Sequence, residues 1–369
     1  MTMDTATHNT VTHNTGTHNT LPGSVLTDNA LPGSALSVAT GTRNRLRVMM
    51  ITEGTYPYYW GGVSTWCHLL LSDLPNFDFT LVSLVSDPAA RPQFNLPASV
   101  VEFRPIPIWG VRESLEAQQE LRAVDLWSRK RRTANHTVAH EFVPRFRAFV
   151  EELFAETGNP QRLAATIHAM HRFFLRYDFD KAMRSQIVWN CFVHVVQHNF
   201  PRTAALHGYA GEPYTLADLT TCFHWLYHWL FPLASPLPKV DIAHAAMAGM
   251  CTLVAVAVKL EHGASFMLTE HGIYLRERYL AEAASSVSLF RKLFSLRFAR
   301  RMTELSYALA DMVAPCCDFN QRWELRNGAK AEQLKTIYYG VDPVVFTPKA
   351  KPAGEPPVVV WVGRIDTRK

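Results

Sequence analysis

The pattern of apolar and polar positions changes its period several times along the chain. The range Leu46–Thr52 is a short, mostly apolar run, which is typical of a buried strand in a parallel sheet. A glycine pair, Gly61–Gly62, then leads into a segment whose apolar residues recur near helical spacing. Apolar runs at 79–85 and 100–108 predict two further strands. This order favours an α/β fold with a doubly wound sheet.

The middle of the chain has a helical period. Between residues 113 and 235, apolar side chains repeat at spacings of three and four. One such face comprises Phe142, Phe146, Phe149, Val150, Leu153 and Phe154. Thr215 and Asp218 have the spacing of a capping box at the start of a later helix. We therefore predict a large helical insertion at 113–235 between strands of the sheet.

The alternation of strands and helices returns after residue 240. The predicted strands are 241–245, 264–269, 312–315 and 335–339, and the predicted helices are 247–260 and 288–309. The apolar window 240–258 contains Asp241 and His244, and both side chains are costly to place in lipid. We therefore interpret this window as a buried strand and a buried helix rather than a membrane span.

Changes in composition suggest domain boundaries. Residues 1–42 contain THNT three times and LPGS twice, and such polar repeats bury too little apolar area to offset the entropy of ordering, so we expect a disordered tail. An N-terminal α/β domain is predicted at 43–348, a linker at 349–357 and the first strand of a C-terminal domain at 358–369. Because one strand has no sheet to pair with, we expect an inactive fragment that lacks nearly all of its second domain.

The amino-acid composition bears on the class of protein, its partners and its compartment. Hydrophobic residues make up 48% of the 369 residues and charged residues 19%, which excludes a largely disordered chain. The net charge of +5 comes without a dense stripe of Lys and Arg with interleaved aromatic residues, so no nucleic-acid partner is expected. The six cysteines are scattered without a CxxC spacing, and no secretory signal is present, so we predict a reduced, cytoplasmic compartment.

Two sequence clusters follow predicted strands and carry candidate chemistry. The first runs from Glu53 through Gly61 and Gly62, where glycines let the backbone approach a ligand and the next helix offers free N–H groups to an anion. The second places Glu270 and His271 at a strand end, where ligand sites of open α/β sheets lie. A tight structural turn and a structural His–Glu pair are the respective alternatives.

Two further clusters are less specific. His244 stands at the end of the strand 241–245, where a structural histidine is the alternative to a functional one. At 363–369, Arg364 and Lys369 have the charges to clamp a diphosphate, Arg through a bidentate fork and Lys as a point charge. The alternative for this pair is a basic strand end.

In this order, the clusters resemble the PelF-type glycosyltransferases of Pel exopolysaccharide synthesis, within glycosyltransferase family 4. The resemblance rests on EGTYPYYWGGVSTW, DIAHA, TEHGIYLRER, YGVD and VGRIDTRK and runs from about residue 47 to residue 369. It implies the GT-B fold of two Rossmann-like domains. It also implies transfer of a hexose, expected to be glucose from UDP-glucose, to a growing exopolysaccharide with retention at the anomeric carbon, without a metal or other cofactor.

The resemblance further implies roles for single residues and partners. Gly61 and Gly62 would approach the donor diphosphate, and His271 would orient the donor sugar. Arg364 and Lys369 would neutralise the leaving UDP, where negative charge grows in the transition state. The acceptor side would comprise Glu53, Tyr56, Tyr58, His244, Glu270 and Arg276. The implied partners are a UDP-sugar donor, a polysaccharide acceptor and membrane-bound polysaccharide export proteins.

The sequence departs from the family pattern in three respects. Tyr338–Tyr339 stands where Pro-Asn is usual, the repetitive tail is not a family feature, and the sequence ends before the family's nucleotide pocket and its Glu-x7-Glu motif. A second hypothesis is therefore a non-catalytic α/β protein that binds a sugar or a protein partner. A continuation of the reading frame with that motif would favour the enzyme.

Two other groups of residues have side chains of the types that bind a metal ion or an anion. The histidine pairs His194/His198 and His224/His228 have the i,i+4 spacing that puts both rings on one helix face, as zinc ligands require. They lack the glutamate of the zincin motif, so we interpret them as structural or surface residues. A solvated helix face is predicted for the basic cluster Arg291, Lys292, Arg297, Arg300 and Arg301.

Overall fold

A computed structural model describes residues 45–110, 122–347, 354 and 356–361. In these ranges, six parallel strands form one sheet in the order β3-β2-β1-β4-β5-β6. The strands are β1 (Leu46–Glu53), β2 (Phe77–Val85), β3 (Val100–Pro107), β4 (Ile242–Ala245), β5 (Ser265–Glu270) and β6 (Met312–Pro315). The sheet grows outward in both directions from the β1–β4 pair, which is the strand order of a Rossmann-like fold. The predicted α/β class is confirmed.

Alternate residues of β1 face two different cores. Met49 and Ile51 belong to the larger buried cluster, whereas Val48 and Met50 belong to the smaller one. The smaller core packs α1 (Gly62–Asp73) against one face of the sheet. The larger core fills the other face. Burial on both faces explains why β1 is apolar at successive positions instead of alternating with polar residues.

The predicted helical insertion lies between β3 and β4. Its described helices are α2 (Ala123–Arg132), α3 (Asn135–Thr137), α4 (Val143–Phe154), α5 (Pro160–Arg176), α6 (Phe179–Met183), α7 (Gln186–Leu206) and α8 (Leu216–Leu230). A π-helical turn, Val138–Phe142, leads into α4. Side chains of Asn159, Ser185 and Thr215 accept amide hydrogen bonds at the starts of α5, α7 and α8, which satisfies donors that have no partner within the helix.

Helices then alternate with the last strands. They are α9 (Cys251–His262), α10 (Tyr274–Ala284), α11 (Leu289–Leu309) and α12 (Asp318–Arg326). Every residue of α9 from Cys251 to Val258 is buried, because the helix packs against both the sheet and the insertion. This burial explains the membrane-like composition of that segment. Among the described residues, no helix combines the length and the apolar character needed to cross a membrane.

Two arginines of α11 are buried, so the predicted solvated face is wrong for them. Arg301 is 1% exposed, and its guanidinium donates hydrogen bonds to the carbonyl oxygens of Glu152 and Ala155. Arg297 donates to the same Ala155 oxygen at 3.2 Å. These carbonyls terminate α4 and have no acceptor role within that helix, so the guanidinium groups satisfy them. The arginines tie α11 to the insertion.

The segment after α12 runs along the edge of the sheet without forming the predicted strand at 335–339. The amides of Lys335 and Ile337 donate to the carbonyl oxygens of Val313 and Pro315, each at 2.9 Å. Because β6 ends at Pro315, the pairing stops there and no regular ladder develops. The segment therefore covers the edge strand and leads towards the strand ends.

Other predictions concern the chain termini. Residues 358–361, the described part of the predicted strand 358–369, form no strand and are exposed, because no described segment provides a backbone ladder for them. Residues 1–42, most of the linker 349–357, and Arg364 and Lys369 lie outside the described residues. The domain boundaries that depend on them stay predictions.

Candidate functional site

Three predicted motifs meet at the carboxyl ends of neighbouring strands. Glu53 ends β1, His244 lies in β4, and Glu270 ends β5. β1 and β4 are adjacent where the strand order changes direction, which is the place where a ligand crevice opens in α/β sheets. This position makes the strand ends the candidate site.

The indole of Trp66 connects these motifs. Trp66 lies in α1, and its ring centroid is 4.5 Å from that of His271 and 5.8 Å from that of His244, edge-on in both cases. The Nε2 of His244 is hydrogen-bonded to the hydroxyl of Thr269 at 2.8 Å. Side chains from α1, β4 and the end of β5 therefore form one contiguous cluster.

His271 is held at one ring nitrogen and unpaired at the other. Its Nδ1 is hydrogen-bonded to the hydroxyl of Tyr339, and its carbonyl oxygen accepts a hydrogen bond from the Cys316 thiol at 3.2 Å. Its Nε2 is buried and has no partner among the described residues. Burial lowers the pKa of His271 to about 4; burial and then the neighbouring His271 lower the pKa of His244 to about 4. Both rings are neutral at pH 7.

Glu53 is packed tightly against the start of α9. Its Oε2 accepts a hydrogen bond from the Met250 amide at 2.9 Å. Burial raises the pKa of Glu53 to about 7, although this hydrogen bond lowers it. A Cβ at Gly249 would lie 2.8 Å from Oε2 of Glu53 and 3.0 Å from the Tyr274 ring, so only glycine fits there without displacing them.

Glu270 is buried against α11 and α12, whereas the ring of His271 lies against Trp66 of α1. Its carboxyl accepts hydrogen bonds from the Tyr307 hydroxyl and from the Tyr274 amide, the latter at 3.3 Å. The Glu324 carboxyl lies beside it, and burial raises the pKa of both carboxyl groups. The two neighbouring side chains therefore have different partners, and no hydrogen bond joins Glu270 to the His271 ring.

The remaining predicted acceptor residues are placed elsewhere. Tyr56 is fully buried in the smaller core, where its hydroxyl is hydrogen-bonded to Nδ1 of His68 at 3.1 Å. Tyr58 is 6% exposed. Arg276 lines a cavity between α10, α11 and α12 and makes none of the contacts described above. Their roles in acceptor binding stay predictions.

Gly61 and Gly62 are exposed, and Gly62 begins α1. A Cβ at either position would meet no atom within 4 Å, and Gly61 has an extended backbone with φ of 167°. The fold itself therefore does not require glycine here, and the backbone at the start of α1 is open to approach. Their proposed partners Arg364 and Lys369 lie outside the described residues.

Four residues of this region were not predicted as site residues. They are Trp66, Tyr307, Glu324 and Tyr339. Trp66 and Tyr339 lie within the motifs EGTYPYYWGGVSTW and YGVD, and this position could have identified them from the sequence. Tyr307 and Glu324 lie in ordinary helical patterns, and only the packing of α11 and α12 brings them to β5.

The histidine pairs differ in burial. His194 and His198 are exposed. His228 is buried; its Nδ1 is hydrogen-bonded to the Ile108 carbonyl, and its Nε2 lies 3.0 Å from Nε2 of His224. Among the described residues, no three His, Cys, Asp or Glu side chains come together as metal ligands. The pair is therefore part of the packing between α8 and the end of β3.

Comparison with known proteins identifies the family. No curated protein matches the chain. The sequence profile of one protein family matches residues 46–332, which covers the whole six-stranded sheet, the insertion and the strand-end cluster. The matched range is more than half of the chain. The chain therefore belongs to the family described as a domain of unknown function, DUF3492.

Proposed function

We propose that this protein is a retaining glycosyltransferase that transfers a hexose, with UDP-glucose as the donor, to a growing exopolysaccharide. The observation that supports this most is the His271 ring beside Trp66, His244 and Tyr339 at the strand ends. A Rossmann-like sheet that carries these side chains at its strand ends is compatible with a sugar-nucleotide enzyme, because ligands of such sheets bind at that edge. We further propose a cytoplasmic site, membrane-bound export proteins as partners and no metal requirement.

His271 has the chemistry to orient a sugar. If the Tyr339 hydroxyl donates to Nδ1, the single proton of the neutral ring lies on Nε2. That nitrogen has no partner among the described residues, and a buried donor without a partner costs ~1–3 kcal/mol. A hydrogen bond from Nε2 to a hydroxyl of the donor sugar would remove this cost and fix the orientation of the sugar.

The test distinguishes an effect on the donor sugar from an effect on the diphosphate. His271→Ala should lower kcat for hexose transfer by ~100-fold through misplacement of the sugar and leave the Kd for UDP nearly unchanged. Arg364→Ala should raise the barrier by ~2–4 kcal/mol, because it removes a cation where charge develops. His198→Ala is the matched control, since that histidine is exposed.

Two outcomes would reject this assignment. If His271→Ala transferred hexose as fast as His198→Ala, the ring would have no part in the reaction. If it weakened UDP binding as much as Arg364→Ala did, the ring would act at the diphosphate and not at the sugar.

A second candidate function, sugar binding without catalysis, is favoured by a cavity in the helical insertion. Its volume is about 460 Å³, and Trp189, Phe223, Tyr227 and His224 line it. Aromatic faces with a few polar groups suit a small ligand, and here a pyranose ring. Binding of a cello-oligosaccharide that is lost in Trp189→Ala, in a protein without transferase activity, would favour this alternative.

A further inference from the structure

A cavity of about 550 Å³ lies between α10, α11 and α12, away from the strand-end cluster. Arg276 of α10, Arg300 of α11 and Arg326 of α12 all line it, and no acidic side chain among the described residues does. Three consecutive helices thus bring three guanidinium groups to one concave surface. Such a concentration of one charge attracts anions.

The protein itself offsets little of this charge. Among the described residues, neither Arg276 nor Arg326 forms an ion pair. Arg300 pairs with Glu304, but the other oxygen of that carboxylate binds Arg301, so one negative charge serves two positive ones. The three guanidinium groups therefore give the wall of this cavity an excess of positive charge.

Positive charges near the cavity also lower the pKa of a neighbouring histidine. Burial lowers the pKa of His207, and the positive charges of Arg297 and Arg300 lower it further. Carboxylates that would balance these charges are engaged elsewhere: Glu282 pairs with Arg278, and Glu324 lies beside Glu270.

The rest of the cavity wall is suited to packing against a ring of a bound ligand. Tyr279 and Trp323 contribute aromatic side chains, and Leu275 and Leu280 contribute apolar ones. Inorganic phosphate would fill only a small part of the cavity. The combination of cationic and aromatic walls therefore fits a ligand with an anionic end and a ring, since guanidinium groups bind phosphate bidentately and aromatic faces pack against rings.

We propose that this cavity binds a phosphorylated small molecule that carries a sugar or nucleoside ring. Arg276, Arg300 and Arg326 bind the phosphate, and Tyr279 and Trp323 pack against the ring. The proposal rests on the cavity and not on the glycosyltransferase assignment, although it gives Arg276 a role different from the acceptor contact that the resemblance implies. A sugar phosphate and a nucleotide share this chemistry, and the experiment distinguishes them.

The test is isothermal titration calorimetry of the whole chain with glucose 1-phosphate and with UMP, each beside its unphosphorylated counterpart, glucose or uridine. The variant is Arg276→Gln/Arg326→Gln, in which both residues are exposed. The matched control is Arg322→Gln, because Arg322 lies in the same helix but over the Phe319 ring and outside the cavity.

We expect at least one phosphorylated probe to bind ≥10-fold more tightly than its counterpart, and the double variant to abolish that preference. The control should change affinity less than 2-fold, and added salt should weaken binding. The proposal is overturned if neither phosphorylated probe binds preferentially, or if the control loses as much affinity as the double variant. The single variants Arg276→Gln and Arg326→Gln give the same comparison if the double variant does not fold.

Discussion

At the scale of single residues, the hydrogen bond between Tyr339 and His271 links the proton of the imidazole to the direction of that bond. A neutral histidine has one N–H, so a Tyr339 hydroxyl that donates to Nδ1 leaves the proton on Nε2. Tyr339 follows the segment that runs beside β6, whereas His271 follows β5. The partner of Nδ1 in the candidate site thus comes from a neighbouring segment.

Tyr339→Phe should change the tautomer of His271 without changing the fold. Loss of the hydroxyl removes one hydrogen bond, so the proton distributes between Nδ1 and Nε2, which ¹⁵N NMR of the ring measures directly. If His271 orients the donor sugar, kcat should fall ~10-fold, the equivalent of ~1.4 kcal/mol.

Tyr338→Phe is the control for this prediction. Tyr338 is adjacent and 62% exposed, and its hydroxyl interacts with Asp318 and not with His271. Equal changes in both variants would show that the hydroxyl of Tyr339 has no specific effect on the ring.

The buried carboxyl pair Glu270–Glu324 should make stability depend on pH. Burial raises the pKa of both groups above that of the unfolded chain, near 4.5, so the folded chain holds protons that the unfolded chain releases. The stabilising contribution is full below pH 4.5 and is lost as the pH rises through the raised pKa values. The pair therefore costs stability at alkaline pH.

Glu324→Gln should remove this cost. The amide can donate to Glu270, and only one carboxyl is left to ionise, so the free energy of unfolding at pH 8.5 should rise by ~1–2 kcal/mol relative to the parent protein. Urea unfolding at pH 6 and pH 8.5 measures the difference. A variant with the same pH slope as the parent protein would exclude the pair as its source.

Sequence patterns located these side chains only in part. Glu270 and His271 follow an apolar run, so their place at a strand end was predictable. Their partners were not, because Tyr307 and Glu324 belong to helices whose rotation about the sheet depends on packing of the entire chain. Local periodicity contains no information on that rotation.

At the scale of elements, the start of α8 combines a cap with a tertiary contact. The Thr215 side chain accepts from the Asp218 amide, and the Asp218 carboxylate accepts from the Thr215 amide. The second oxygen of Asp218 accepts from the Ser288 hydroxyl and pairs with Arg291, both at 2.7 Å. The capping box predicted from sequence therefore also joins α8 to α11.

Asp218→Ala should consequently destabilise the protein more than Thr215→Ala. Loss of the Thr215 cap should cost ~1 kcal/mol, whereas loss of the carboxylate also leaves the Arg291 guanidinium without its ion pair and the Ser288 hydroxyl without its acceptor, and should cost ~2–3 kcal/mol. Urea unfolding measures both. Thr220→Ala, an exposed position in the same helix, should change stability by less than ~0.5 kcal/mol. Equal costs for the two cap variants would argue against the link to α11.

Element boundaries were predicted less well than element types. The helix predicted at 247–260 is Cys251–His262, because Ala246 to Met250 form the turn in which the Met250 amide reaches Glu53. Its end is set by Gly263, whose φ of 71° is the left-handed conformation that glycine adopts most easily. A uniformly apolar segment gives no period from which its first turn could be assigned.

At the scale of the whole molecule, one buried cluster joins the insertion to the sheet. Phe192 of α7 and Ile51 of β1 belong to the same cluster, although 141 positions separate them in the chain. The approximate positions of the strands and the extent of the insertion were predictable from the repeated change of period. The docking of the insertion was not, because it depends on contacts between residues that are distant in sequence.

Phe192→Ala should therefore destabilise the sheet and the insertion together and not the insertion alone. Removal of a fully buried phenylalanine should cost ~3–5 kcal/mol. Tryptophan fluorescence and far-ultraviolet circular dichroism should show one coincident transition at lower urea concentration. Leu206→Ala, at a 56% exposed position of the same helix, is the control. Two separate transitions would show that the insertion unfolds as an independent unit.

The segment beside β6 links the candidate site to the edge of the sheet. Two amide hydrogen bonds, from Lys335 and Ile337, attach it to the edge strand, and Tyr339 follows two residues later. We expect a brief detachment of this edge to expose those amides to deuterium and to withdraw the phenol from His271 at the same time. The exchange rate at Ile337 should therefore report how often His271 loses its Tyr339 partner.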